Sequence, residues 1–173
     1  WDLNKFEGVS KVIGSSMKSV GEIMAIGRSF EEAIQKGIRM IGQGMHGFVG
    51  NVLKAKDIDE ELVNPTDSRI FAIAGAFDKG YSVEKIHELT KIDHWFLQRL
   101  ENIHLLKEEL SKLNKETDIS EGLLRKAKQY GFSDFQIGRL TVKNTSLSHH
   151  ERMLKVRDYR KKLGVLPCVK QID

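Results

Sequence analysis

The chain has 173 residues, 40% of them hydrophobic and 30% charged, with a formal net charge of +4; a polypeptide of this length and mixture can bury a sizeable core as one domain or slightly more. No run approaches the roughly 20 apolar residues of a membrane span, the N-terminus lacks the charged-then-apolar order of a signal peptide, and the single Cys168 excludes an internal disulfide. The charge is uneven: residues 123–173 hold twelve Lys/Arg against four Asp/Glu, whereas residues 1–122 hold sixteen against twenty.

Residues 1–28 show no 3.6-residue period. Within them VGEIMAIG, Val20 to Gly27, is a short apolar run between glycines and is predicted to be a buried strand. Its one charge, Glu22, is out of place there, because burying a carboxylate unpaired costs several kcal/mol or forces its protonation. Glu22 therefore lies at an edge or is held for a purpose. Ser29-Phe30-Glu31-Glu32 reads as a capping box, with Ser29 accepting from the Glu32 N–H and the Glu32 carboxylate from the Ser29 N–H. The helix it starts carries Phe30, Ala33, Ile34, Ile38 and Ile41 as an apolar buried face and stops at Gly42-Gln43-Gly44. Gly37 inside it marks close packing. Residues 43–64 lack a period, carry the acidic cluster Asp57 to Glu61, and read as a linker.

From Pro65 onward the pattern is helical. Thr66 is the expected cap of a helix whose buried face is Ile70, Phe71, Ile73, Ala74 and Phe77, and Gly80 ends it. GYSVEKIHELT, Gly80 to Thr90, then returns as GFSDFQIGRLT, Gly131 to Thr141, with the glycine, aromatic, serine, isoleucine and Leu-Thr at matched offsets. Ser82 and Ser133 cap the two short helices. Asp93 caps a long helix from His94 to about Leu113 with an apolar stripe of Trp95, Phe96, Leu100, Ile103, Leu106 and Leu110. In the second copy Ser120 caps Glu121 to Tyr130, Ser133 with Gln136 forms a capping box, and Ser148 with Glu151 boxes a last helix offering Met153, Leu154, Val156 and Leu163 to the core. Residues 65–164 contain no convincing strand, so the fold class is mainly α, with two helix-turn-helix-like repeats of six or seven helices behind a short α/β segment.

Little chemistry is visible. The six histidines show no metal-ligand spacing, and GxxxxGK[ST] and GxSxG are absent, so neither a P-loop nor a nucleophile elbow is encoded. Among the carboxylates Glu22 alone stands in an apolar run. The pattern by itself allows a tandem helix-turn-helix nucleic-acid module, because the last helix carries Arg152, Lys155, Arg157, Arg160, Lys161 and Lys162. The first copy argues against it: the helix after that cassette bears Trp95, Phe96, Glu101, Glu108 and Glu109, and a reader built twice would be basic twice.

KSVGE (Lys18 to Glu22), MAIGRSFEE (Met24 to Glu32) with Gln35-Lys36, WDLNKF at the start, GYSVEKIHELTKIDHWFL, GFSDFQIGRLT and VKQID together closely resemble the large subunit of carbamoyl-phosphate synthetase, in the same order and over essentially the whole chain. The resemblance implies that residues 1–42 end the first ATP-grasp half, the carboxyphosphate domain, that 43–64 link, and that 65–173 form the all-helical oligomerisation domain. It implies a parent ligase that makes carbamoyl phosphate from bicarbonate, glutamine-derived ammonia and two ATP, with ATP and Mg bound elsewhere, so that this chain holds no cofactor, metal or catalytic residue and is no enzyme alone. Glu22 would line the tunnel that carries carbamate between the two phosphorylation sites, supported by Lys18 and Ser19. The implied partners are the remaining synthetase domains of the same polypeptide and a glutaminase subunit or domain, in an oligomer, with no membrane or nucleic acid. Cytoplasm and mitochondrial matrix, and arginine and pyrimidine biosynthesis, all stay open. Gly37 stands where the family usually has Ala, and the turn at 142–150 is longer than typical.

Overall fold

The structure, a computed structural model, describes residues 3–41, 44–51, 57–169 and 171. Trp1 and Asp2 of the first motif, Gly42 and Gln43 of the expected helix stop, and Lys170, Ile172 and Asp173 of the last motif lie outside the described residues. Eight α-helices follow one another among the described residues: α1 (Phe30–Met40), α2 (Ile58–Val63), α3 (Arg69–Asp78), α4 (Val83–Thr90), α5 (His94–Ser111), α6 (Glu121–Gln129), α7 (Asp134–Thr141) and α8 (His149–Lys162). Short 3₁₀ turns form at Leu3–Lys5 and Glu116–Asp118.

The two cassettes fold alike because the same atoms do the same work in each. Gly80 and Gly131 stand at φ of 80° and 81°, a left-handed conformation that glycine adopts without a Cβ penalty. The next N–H then folds back on its helix, Tyr81 to the Ala76 carbonyl and Phe132 to the Ala127 carbonyl, both at 3.0 Å. Ser82 and Ser133 accept from the N–H three residues on. At the far end the Thr90 and Thr141 hydroxyls, both buried, donate to the carbonyls of Ile86 and Ile137 at 2.7 and 2.9 Å. A threonine buried in a helix thus satisfies itself locally and leaves its methyl group for packing.

α5 is the spine. Leu97, Leu100, Ile103, Leu106 and Leu110 recur at spacings of three and four and are buried, and full burial of such side chains contributes about 1.5 to 3 kcal/mol each. α1, α3, α4 and α7 all pack against this helix. Trp95 and Phe96 depart from the predicted stripe: they are 47% and 44% exposed and instead set their edges against Phe30 of α1, with ring centroids 5.7 and 5.5 Å apart. In α8, Val156 is fully buried while Leu154 is exposed. α8 crosses α7 at Gly138, where an added Cβ would lie 2.9 Å from the carbonyl carbon and oxygen of Arg152.

Four expectations need correction. Residues 20–27 form no strand; a strand needs a neighbour to take its N–H and C=O groups, and the described residues contain no strand at all. The acidic part of the expected linker folds as α2, because Asp57 Oδ1 accepts from the N–H groups of Asp59 and Glu60, and Ile58 and Leu62 give it a buried face against α3. Thr66 is not a helix cap; its Oγ1 accepts from the Ser68 N–H at 3.2 Å, and α3 starts at Arg69. The box at Ser29 is half as expected, since Ser29 Oγ accepts from Glu32 N while the Glu32 carboxylate takes the N–H of Arg28, one residue earlier. Packing also runs across the 42/43 division: Ile38 of α1 shares one apolar cluster with residues from Phe48 to Val165.

The Gly138 crossing gives a contrast of sign. Gly138→Ala is expected to destabilise the chain by about 1 to 2 kcal/mol in chemical denaturation, since overpacking against backbone outweighs the helix-propensity gain of about 1 kcal/mol. Gly122→Ala in α6, where nothing lies within 4 Å of the added methyl, is expected to stabilise.

Candidate functional site

α1 meets the helical core with its polar face. Glu31, Gln35 and Arg39 recur at i, i+4 and i+8, and Glu31 and Gln35 are 4% and 0% exposed. Gln35 is the centre of the junction. Its Nε2 donates to the Tyr130 carbonyl at 3.1 Å, and its Oε1 accepts from the Phe48 N–H and from Gln136 Nε2, both at 3.1 Å. The Gln136 oxygen in turn accepts from the Ser133 N–H and from Arg39, whose Nη1 also reaches the Gly131 carbonyl at 2.8 Å. Burial lowers the pKa of the Arg39 guanidinium from its ordinary value. At the other end of the face Glu31 Oε1 accepts from Asn102 Nδ2 at 2.9 Å, with Arg99 3.9 Å away. The loop that feeds Phe48 in must pass close: a Cβ on Gly47 would fall on Gln35 Oε1 and Gln136 Nε2.

The predicted apolar face of α1 is shared between the core, where Ile38 is buried and Phe30, Ile34 and Ile41 pack against it, and a groove on the outside. Phe30, Ala33, Ile34, Gly37, Ile38 and Ile41 line an open groove of about 290 Å³ closed on one side by Ile23 and Ala25, and a Cβ on Gly37 would sit 3.2 Å from the Ile23 side chain. Hydrophobic patterning identified the helix and the burial of Ile38, but missed that the polar face is buried as well. A stripe of Glu, Gln and Arg at helical spacing was the available signal. It is read as solvated unless each group has a partner, and the partners here are backbone and side-chain groups 13 to 101 residues away.

Of the tunnel residues expected from the resemblance, Lys18 turns back on the chain, its Nζ donating to the carbonyls of Ser10 at 2.9 Å and Val12 at 2.6 Å. Ser19 Oγ donates to the Gly21 carbonyl at 2.7 Å and accepts from the Gly21 N–H. These bonds fix the turn that precedes Glu22. Glu22 itself is exposed, in a run whose Ile23, Met24 and Ile26 are 45%, 77% and 56% exposed; among the described residues no neighbouring strand covers the run. Ile13 N to the Pro65 carbonyl at 2.7 Å ties this segment to the start of α3.

Two further charge clusters were not legible from spacing. Asp78, His104 and Glu108 bring one metal-ligand atom each within 4.8 Å of one another, but Lys107 Nζ already stands 2.7 Å from Asp78 and 2.8 Å from Glu108 as their cation. The His104 ring, whose Nδ1 stands 3.2 Å from the carboxylate, and the Lys107 ammonium hold the Asp78 carboxyl below its usual range against the opposing effect of burial. In the basic last helix Arg160 is turned inward: it forks onto the Asp134 carboxylate at 3.0 to 3.3 Å and donates Nη1 to the Val165 carbonyl at 2.7 Å, while Lys128 takes the same carboxylate at 2.9 Å. This part of the basic run is a fold contact.

The chain was compared with known proteins. The family model described as "Carbamoyl-phosphate synthetase large chain, oligomerisation domain" matches residues 22–164. The chain belongs to this family. Over its whole length it is 51% identical to the multifunctional protein pyr1-3 of Dictyostelium discoideum, 49% to the carbamoyl phosphate synthase arginine-specific large chain of Eremothecium gossypii, and 49% to the multifunctional protein URA2 of Saccharomyces cerevisiae. It spans 7%, 15% and 8% of those proteins, so it corresponds to one small domain of a carbamoyl-phosphate synthetase large chain. The helical repeats are the frame of that oligomerisation domain, which replaces the tandem nucleic-acid reading. No helix among the described residues is long and apolar enough to cross a membrane.

Two outcomes follow from these contacts. Gln35→Leu leaves the Phe48 N–H and the Gln136 amide without their acceptor, and is expected to lose about 2 to 4 kcal/mol in denaturant titration. The Asp134 carboxyl is raised by burial but lowered further by Lys128 and Arg160, so its net value in the folded chain is depressed. It therefore stabilises the fold above the unfolded carboxylate value of about 4 and loses that contribution as pH falls through the folded value. Asp134→Asn is expected to lower stability at neutral pH by about 2 to 4 kcal/mol and to flatten the acid limb of a stability-against-pH curve.

Proposed function

We propose that this chain is the oligomerisation and spacer module of a polypeptide that makes carbamoyl phosphate from bicarbonate, glutamine-derived ammonia and two ATP, and that its N-terminal segment forms part of the wall of the carbamate passage. In this reading residues 1–42 close the first ATP-grasp half, 43–64 make the junction, and 65–173 hold the helical domain. ATP and Mg are bound by other parts of the polypeptide, and this chain has no catalytic residue of its own. A glutaminase subunit or domain supplies ammonia, and the assembly is an oligomer of the cytoplasm or the mitochondrial matrix.

The observation that carries the reading is the run Ile23, Met24 and Ile26, exposed beside a single carboxylate, Glu22, at a turn fixed by Lys18 and Ser19. An apolar ribbon of this kind is a face that another domain covers. Once covered, the carboxylate would be a lone hydrogen-bonding charge in a water-poor setting, suited to guiding a short-lived polar intermediate while excluding water.

The test is Glu22→Ala in the full synthetase polypeptide. Overall carbamoyl phosphate formation is expected to fall several-fold while each ATP-dependent half-reaction, assayed separately, stays near the wild-type rate. A parallel fall of both half-reactions with the overall rate would remove Glu22 from the passage.

A further inference from the structure

Opposite the apolar groove of α1 lies a larger one of about 1150 Å³, formed by residues 26–29 before α1, the α6–α7 corner at 128–134, and residues 165–168 after α8. Six cationic side chains line it, Arg28, Lys36, Arg39, Arg125, Lys128 and Arg160, against two carboxylates, Glu32 and Asp134. The wall thus carries four positive charges in excess.

The internal pairing consumes them only in part. Asp134 is shared between Lys128 and Arg160, Glu32 holds Lys36 at 2.6 Å and accepts the backbone N–H of Arg28 beside it, and Arg125 leans on Glu121 at 2.8 Å. Among the described residues Arg39 has no carboxylate partner and donates to two neutral oxygens, those of Gly131 and Gln136. Arg39 is half-buried, so bulk water cannot hydrate it as it hydrates a surface lysine. Uncompensated charge in such a place favours an anion. Guanidinium forks match the oxygen spacing of phosphate better than that of a simple halide. Val165, Leu166 and Pro167 add an apolar wall beside the cations.

We propose that this groove binds a phosphate-class anion, either an inorganic phosphate or the phosphates of a nucleotide, with Arg28 and Arg39 as its principal ligands. The inference does not depend on the carbamate passage, since Glu22 is not part of the groove wall.

The test is calorimetric titration of the chain with inorganic pyrophosphate, and in a parallel arm with ADP, at low and at physiological ionic strength. Saturable binding that weakens with salt is expected. The double variant Arg28→Gln/Arg125→Gln removes charge from the exposed rim without touching the core. It is expected to weaken binding by about tenfold with an unchanged unfolding midpoint, whereas Lys79→Gln/Lys112→Gln, just past the ends of α3 and α5 and outside the groove wall, leaves binding as it was. ADP binding more tightly than pyrophosphate assigns the apolar wall to a nucleobase; equal affinities assign the site to phosphate alone. Absence of saturable binding at millimolar pyrophosphate, or equal weakening by both double variants, would overturn the proposal.

Discussion

The buried amide of Gln35 is the constraint on which the rest of this structure depends. It is fully enclosed, and its oxygen and nitrogen are satisfied by three groups drawn from distant parts of the chain: the 44–51 loop, the end of α6 and the start of α7. A neutral amide can be buried at small net cost only when each of its polar atoms is bonded, so the three segments have to arrive together. Gly131 serves twice here, as the left-handed stop of α6 and as a carbonyl acceptor for Arg39, and Gly47 supplies the absence of a side chain that lets the loop reach the amide.

Around that junction the chain is economical. One cassette, a glycine stop, a serine cap and a buried threonine, is used twice to turn a helix into a short helix and then a longer one. The two copies differ where their surroundings differ. After α4 the turn is closed by Lys91 at φ 60°, and α5 follows at once; after α7 the chain leaves extended at Val142 and takes a longer path to Ser148. The second copy then packs α8 across Gly138 at backbone distance.

Much of this was legible in the residues. Caps at Ser82, Asp93, Ser120, Ser133 and Ser148 were readable because they are local chemistry, a side-chain oxygen within three residues of the N–H it accepts from. The α5 spine was readable in Leu100, Ile103, Leu106 and Leu110, which share one period, although Leu97 was passed over. What failed was non-local. The α2 helix was hidden because its buried apolar residues are only two, Ile58 and Leu62, in an acidic run. The inward face of α1 was hidden because Glu31, Gln35 and Arg39 look solvated until their partners are known. Trp95 and Phe96 were counted as core on hydrophobicity alone, although Phe30 takes them at the surface. The family itself was legible from long ordered motifs, whereas the placement of Glu22 depends on what covers the run Ile23–Ile26.

The way α1 is attached has a mechanical meaning. Two helices joined by apolar side chains can slide or roll by a fraction of a turn with little loss, since dispersion and burial vary smoothly with displacement. A helix joined through Gln35, Arg39 and Glu31 cannot, because hydrogen bonds weaken steeply once their geometry is lost. α1 is therefore bolted rather than greased to the helical domain. A displacement of α1 would act on the α6–α7 corner directly, through the bonds to Tyr130, Gly131 and Gln136.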